Sequence, residues 1–190
     1  NIKVQFIDIL LKEVKKYIPG DPYSFESDVG CLVSMEQKNR IIEYIEMGKV
    51  CGCKILNYEF DSNKLPLNRP FVLPVIFDNV DSSYEFSKEE IFGPVLSIIE
   101  YKDLITAIDI ANNTRYGLAA SIWTDDIDET YQSSRLLQAG IVHVNSYGED
   151  DNTVPFGGFK ESGIGKDKSF FAFDEYSSIK TTWYNFNTLA

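Results

Sequence analysis

Positive charge is scarce in this chain. Its 190 residues carry 18 lysines and arginines against 29 aspartates and glutamates, a formal net charge of −11 at pH 7. Nucleic acid is therefore not an expected partner, because a phosphate backbone is bound by clustered Lys and Arg and no such cluster occurs. The excess acid reads as a solvated surface, with attraction of cationic ligands as the second reading. Cysteine is sparser still: Cys31, Cys51 and Cys53 are all there is. An odd count of three builds no disulfide framework and suits a reducing compartment, so a cytoplasmic location is expected. Cys51-Gly52-Cys53 is not a CxxC redox pair. No second ligand pair accompanies it and the single histidine, His143, is remote, so no metal site is expected. That lone histidine also leaves no Ser/His/Asp or Cys/His catalytic set, and in the middle of a strand it reads as structural. No apolar run reaches the length of a membrane span, so no membrane partner is expected. The N-terminus lacks a basic segment followed by an apolar core and a cleavage site, so no signal peptide is expected. Glycine-rich phosphate loops are missing as well. Gly163-Ile164-Gly165 lacks the third glycine of GxGxxG, and no GxxxxGK[ST] occurs.

Hydrophobic residues at 44% and aromatics at 14% suit a globular chain, and 190 residues suffice for one core. Val4, Ile7, Leu10, Leu11, Val14 and Ile18 recur at helical spacing, which predicts an amphipathic helix over 2–17, ended by Pro19-Gly20-Asp21-Pro22. A second helix starts near Ser34 and stops at Gly48, with Ile41, Ile42 and Ile45 as its buried stripe. Strands are expected over 54–57, 71–77, 95–101, 118–123, 141–145 and 179–183. A helix through Leu104, Ile105, Ile108 and Ala111 ends near Asn112. Another spans 126–138, capped by Asp125 or Asp126, with Gly140 just past its end. Residues 61–68 and 146–165 read as loops, and a short helix covers 167–176. Alternating strands and helices imply an α/β fold with a mostly parallel twisted sheet flanked by helices. No repeat or linker divides it, so 1–190 reads as a single domain.

Four dense motifs follow one another. Glu89-Glu90-Ile91-Phe92-Gly93-Pro94-Val95 comes first, then Asn112-Asn113-Thr114-Arg115-Tyr116-Gly117-Leu118-Ala119-Ala120. Ala139-Gly140-Ile141-Val142-His143-Val144-Asn145 and Pro155-Phe156-Gly157-Gly158-Phe159-Lys160-Glu161-Ser162-Gly163-Ile164-Gly165 complete the series. A carboxylate such as Glu90 accepts hydrogen bonds from two ribose hydroxyls, and Phe92, two residues along a strand, points to the same face and packs on a planar ring. The local alternative is a strand entry with Glu90 exposed and Phe92 in the core. Gln37 and Arg40 share a face one helical turn apart, although Gln37 also completes a capping box with Ser34.

Four such motifs in this order resemble the C-terminal half of an aldehyde dehydrogenase. The resemblance implies an NAD(P)-dependent oxidoreductase that converts an aldehyde to a carboxylic acid. It assigns cofactor contact to Glu90, Phe92, Gln37, Arg40 and Leu118, with Glu90 on the nicotinamide ribose, Phe92 flanking the nicotinamide and Leu118 near it. It puts Phe156 in the wall of the aldehyde tunnel. The substrate-selecting loop follows Asn145 and carries Tyr147, Glu149, Asp150 and Asp151, whose carboxylates either attract an aminoaldehyde cation or simply face solvent. Asp167 matches an acidic position on a proton path in some relatives, and otherwise reads as the acidic first turn of a helix. The tail, Lys166-Asp167-Lys168-Ser169 and Lys180-Thr181-Thr182-Trp183, resembles the branch acting on γ-glutamyl-aminobutyraldehyde and related aminoaldehydes.

The same resemblance puts the nucleophilic cysteine, the general-base glutamate, the oxyanion asparagine and the Rossmann-like cofactor domain upstream of the position matching Asn1. None of Cys31, Cys51 and Cys53 matches the nucleophile. The expectation is a partial catalytic domain, inactive and without tight cofactor binding by itself, with a C-terminal oligomerisation strand. Its partners would be a separate N-terminal half, a small-molecule aldehyde and further copies of itself in a homo-oligomer. A self-associating interaction module and a dinucleotide-binding protein without turnover are the alternatives.

Overall fold

The computed structural model describes residues 2–56, 65, 68–148 and 151–186. They gather into two compact units, 1–103 and 104–190.

The first unit holds helices α1 (Lys3–Val14) and α2 (Met35–Val50) and strands β1 (Lys54–Ile55), β2 (Val75–Asp78) and β3 (Val95–Ser97). In α1, Ile7, Leu10, Leu11 and Val14 are half-buried, but Val4 and Ile18 of the expected stripe are exposed, as are Phe6 and Ile9. Ser34 caps α2, accepting the Gln37 backbone N–H at 3.1 Å. Gly48 does not stop this helix. It lies inside it, buried, where an added Cβ would meet the Phe77 ring at 2.5 Å, so its small size lets α2 sit on β2. The chain turns two residues after α2 ends, at Gly52, whose φ of +80° is the left-handed conformation that glycine adopts freely. Ile41 and Ile45 from α2 join Cys53, Phe77, Val80 and Phe86 in the core, with the Phe77 and Phe86 rings 5.7 Å apart. The stripe is narrower than expected, since Ile42 is exposed.

The sheet of this unit runs β1-β2-β3, with β1 antiparallel to β2 and β2 parallel to β3. The expected strand over 71–77 starts only at Val75, because Pro74 has no N–H to give a ladder. β3 likewise begins just after Pro94. Of the expected strand over 54–57, β1 takes Lys54–Ile55 and residue 57 lies outside the described residues, as does almost all of the expected loop over 61–68.

The second unit contains α3 (Leu104–Asn112), β4 (Ala119–Ile122), α4 (Ile127–Leu136), β5 (Ile141–Val144) and α5 (Ala172–Glu175). β4, α4 and β5 form a βαβ unit with parallel strands in register from Ala119 with Ile141 to Ile122 with Val144. Asp126 caps α4, accepting the N–H groups of Asp128 and Glu129. The end of α4 is held from outside: the Asn112 side chain donates to the Leu136 carbonyl at 2.9 Å and accepts the Gln138 N–H at 2.8 Å. Gly140 therefore has a different task from a helix stop. A Cβ there would overlap the Gly157 carbonyl oxygen, so this glycine lets the start of β5 and the Phe156-Gly157-Gly158 segment touch backbone to backbone.

Three further expectations differ from the structure. In place of one mostly parallel sheet, the described residues form two small ones, of three and two strands. The helix expected over 167–176 shrinks to α5, because Lys168 and Ser169 take φ of +59° and +54°, outside helical geometry. Residues 177–186, which include the strand expected over 179–183, join no ladder among the described residues, and Ile179 and Trp183 are exposed.

Candidate functional site

In the first unit the candidate site is built on α2. Ile41 presses its side chain against Gly93, where a Cβ would collide with it. One turn earlier on the same helix, the Gln37 side-chain amide donates to the carbonyls of Ile91 (2.9 Å) and Phe92 (3.1 Å). The expected capping box is thus half formed. The Ser34 hydroxyl caps the helix, but the Gln37 amide reaches across to 91–92 and not back to Ser34. Gln37 and Phe92 are brought together, although by a route the sequence reading did not contain.

Glu90 and Phe92 are not on a strand. The stretch from Ser87 to Pro94 is irregular, and Phe92 has φ +52°. The alternation argument for a shared face does not apply to them, and neither does the bland alternative of Phe92 as a core residue, for it is 76% exposed. A left-handed backbone is unusual for a bulky residue and costs on the order of 1–3 kcal/mol, so it persists where surrounding contacts impose it. Here the Gln37 amide bonds the carbonyls on both sides, and Ile41 packs against the next residue, Gly93. Glu90 is half-buried, and its carboxylate has no hydrogen-bond or ion-pair partner among the described residues. A carboxylate with free acceptor positions beside an exposed aromatic ring is suited to vicinal hydroxyls and a flat ring. Arg40, exposed, places its guanidinium 5.8 Å from the Tyr44 ring centre. With Gln37 it borders a polar cavity of about 740 Å³ along α2.

In the second unit, Leu118 lies immediately before β4, 37% exposed, with its carbonyl accepting the Ile141 N–H at 3.1 Å. Phe156 is half-buried and pairs with Asp167 in an antiparallel bridge, through N–H···O contacts of 2.8 and 2.7 Å. Asp167 is therefore a bridge residue and does not open a helix. Phe156 lines a cavity of about 550 Å³ together with Ile141, His143, Asp151 and Lys168. The Lys168 ammonium stands 5.2 Å over the Phe156 ring. Asp151 is held below the usual carboxylate range, first by the backbone N–H of Thr153 and then by its hydroxyl, both at 2.8 Å, against slight desolvation, with the charge of Lys168 adding to the effect. Tyr147 is exposed, its ring centre 6.1 Å from that of His143. Glu149 and Asp150 lie outside the described residues.

Sequence reasoning missed several residues here. His143 borders the cavity, which its position in mid-strand did not announce. Lys166 donates to the Gly157 and Gly158 carbonyls at 3.0 and 3.2 Å, and the Ser162 hydroxyl accepts the Gly117 N–H at 2.9 Å. The conspicuous string from Asn112 to Gly117 is largely structural: Lys160 donates to the Asn112 and Thr114 carbonyls at 2.7 and 2.9 Å. A signal was available, since Ser162 and Lys166 flank glycines whose part-buried backbone groups need partners.

Known proteins share both the sequence and the shape. Human aldehyde dehydrogenase 1A1 is 41% identical over 181 residues, 95% of this chain and 36% of its own length. The NADP/NAD-dependent aldehyde dehydrogenase PuuC of Escherichia coli is 36% identical over 183 residues, 96% of this chain and again 36% of its own. A mutant of the P. syringae indole-3-acetaldehyde dehydrogenase AldA, solved in complex with NAD+ and IAA, superposes with a TM-score of 0.87 at 39% identity, over 97% of this chain and 37% of that one. The chain thus spans about a third of the length of the relatives it matches. The family model described as the aldehyde dehydrogenase family matches residues 1–182, and the chain belongs to that family.

Proposed function

We propose that these 190 residues are the part of an NAD(P)-dependent aldehyde dehydrogenase that clamps the nicotinamide ribose and forms a wall of the aldehyde tunnel. The observation that carries the reading is the pairing of an exposed, left-handed Phe92 with the unpartnered carboxylate of Glu90. Burial among the described residues does not account for Phe92, which is exposed on a strained backbone, and strain of this kind is kept where it serves a site. The residues fit a dinucleotide: Glu90 accepts from the ribose hydroxyls and Phe92 lies along the nicotinamide. The cofactor supplies the hydride acceptor when bound. In the second unit Phe156 lines the aldehyde's path, and Tyr147, Glu149 and Asp150 contribute to the substrate-selecting loop. Residues 1–190 form a single catalytic-domain portion, working in the cytoplasm as part of a homo-oligomer.

The thiolate that attacks the aldehyde, its general base and most of the adenosine-binding surface belong to sequence outside these residues. The chain by itself is then inactive. The test is an aldehyde-dependent NADH assay on residues 1–190, with and without a separately made N-terminal half carrying the cysteine. Activity only on mixing supports the reading. In the mixed enzyme Glu90→Gln should weaken NAD+ by roughly tenfold, since hydrogen bonds to a charged group contribute about 1.5–3 kcal/mol and a neutral amide keeps only part of that. No activity in either case supports the second reading, a self-associating remnant. That reading is favoured by the exposed apolar residues of α1 and of 170–186.

A further inference from the structure

We infer that Gln37 serves the dinucleotide clamp as a positioning residue, acting through the backbone of Phe92. The inference rests on the clamp reading above but makes a separate claim. A primary amide has two N–H donors. Gln37 commits its side-chain nitrogen to two acceptors, the Ile91 and Phe92 carbonyls. No donor is left for a ligand. The two bonds converge on the peptide units either side of Phe92's own φ and ψ, and φ there is +52°. Gln37 thus contributes the contacts that hold a bulky residue in a conformation it otherwise avoids. The Phe92 ring makes no compensating burial, so its orientation depends on its backbone. α2 anchors this device from both sides: Ser34 fixes the backbone of Gln37, and Ile41, one turn on, packs against Gly93.

The experiment is a double-mutant cycle on the complete polypeptide that carries these residues, read as the NAD+ dissociation constant by calorimetry. Gln37→Glu keeps the shape of the side chain but removes both donors. It should weaken NAD+ about tenfold, from the loss of two hydrogen bonds of about 0.5–1.5 kcal/mol each. Phe92→Gly makes the left-handed backbone strain-free. In that background Q37E should cost no more than about twofold. Equal losses in both backgrounds would overturn the inference, because Gln37 would then act on the cofactor directly; so would no loss in either. Two further readouts separate positioning from damage to the fold. In the protein without dinucleotide, amide exchange across 90–94 should quicken in Q37E while the core strand β2 stays protected. In turnover, the KM for NAD+ should rise with the KM for aldehyde unchanged; a general lesion moves both. If Q37E does not fold, Gln37→Asn, too short to reach both carbonyls, carries the same cycle. Glu90→Gln keeps the two claims apart. Loss of NAD+ affinity in E90Q with an additive Gln37–Phe92 cycle overturns the positioning role alone. No change in E90Q, or no NAD+ binding at all, overturns the clamp and the inference with it.

Discussion

At the scale of single residues, the second unit contains an uncompensated polar group. Ser133 on α4 is 2% exposed, and its hydroxyl has no hydrogen-bond partner among the described residues. Burying an unsatisfied hydroxyl costs about 1–3 kcal/mol, and serine is a poorer helix former than alanine. Ser133→Ala should therefore stabilise the protein by about 1 kcal/mol, measured as a rise in the urea midpoint with the slope unchanged. A fall in the midpoint would mean that the hydroxyl has a partner. The cysteines also differ residue by residue. Cys53 lies in the core, where burial first and the neighbouring Cys51 second push its thiol up, while Cys31 and Cys51 are exposed.

At the scale of elements, α1 is fastened to the first unit by charge. Lys3 reaches the Asp78 carboxylate at 2.7 Å, the Asn79 side chain at 3.1 Å and Glu100. Burial opposes the charge on Asp78, but the hydrogen bond from Lys3, the Asn79 N–H and the charges of Lys3 and Lys54 outweigh it and hold the carboxyl below its ordinary value. Hydrogen bonds to Asp78 and Glu100 raise Lys3. A depressed carboxyl adds stability that is fully present above its unfolded value, about 3.9, and is lost as pH falls through the folded value. A raised amine adds stability that is fully present below its unfolded value, about 10.4, and is lost as pH rises through the folded one. The contribution of the pair is therefore complete between about pH 4 and 10. Lys3→Met should lower the thermal midpoint across that window, and the difference from the native chain should shrink below pH 4. A gap that persists at pH 2 would show that Lys3 acts by packing.

Elements were also where the sequence was most legible. The helices α1 to α4 and the strands β3 to β5 start close to where periodicity put them, and Asp126, one of the two candidate caps, caps α4, because these depend on neighbours within a few residues. The failures have long-range causes. Gly48 and Gly140 look like helix stops, yet Phe77 and Gly157 decide their roles. Periodicity cannot tell whether strands share one sheet. The candidate residues of the site were named from their motifs, but the contact joining Gln37 to Phe92 spans 55 positions, and no local pattern could give it.

At the scale of the whole molecule, apolar surface is left over. Phe170, Phe171, Phe173, Tyr176, Ile179, Trp183, Tyr184 and Phe186 are exposed within one stretch of seventeen residues. A run of this size needs a cover, whether from a second copy or from further polypeptide. Residues 1–190 alone should sediment with a mass that climbs with concentration, and removal of residues 177–190 should reduce that rise. Concentration-independent monomers would show that the tail does not mediate assembly.

The loop from 146 to 155 has fastened ends. At one end the Asn145 side chain exchanges two hydrogen bonds of 2.9 Å with the backbone of Thr124. At the other, Phe156 and Asp167 bridge, and Ser169 donates to the Asn152 carbonyl at 2.9 Å. Neither clasp uses a side chain from 146 to 155. The segment is therefore a natural cassette: a graft from another member of the family, spliced at Asn145 and Phe156, inherits the Asn145–Thr124 and Phe156–Asp167 fastenings from the host. On the function proposed above, redesign of substrate choice proceeds there without rebuilding β5 or the glycine contact at its foot.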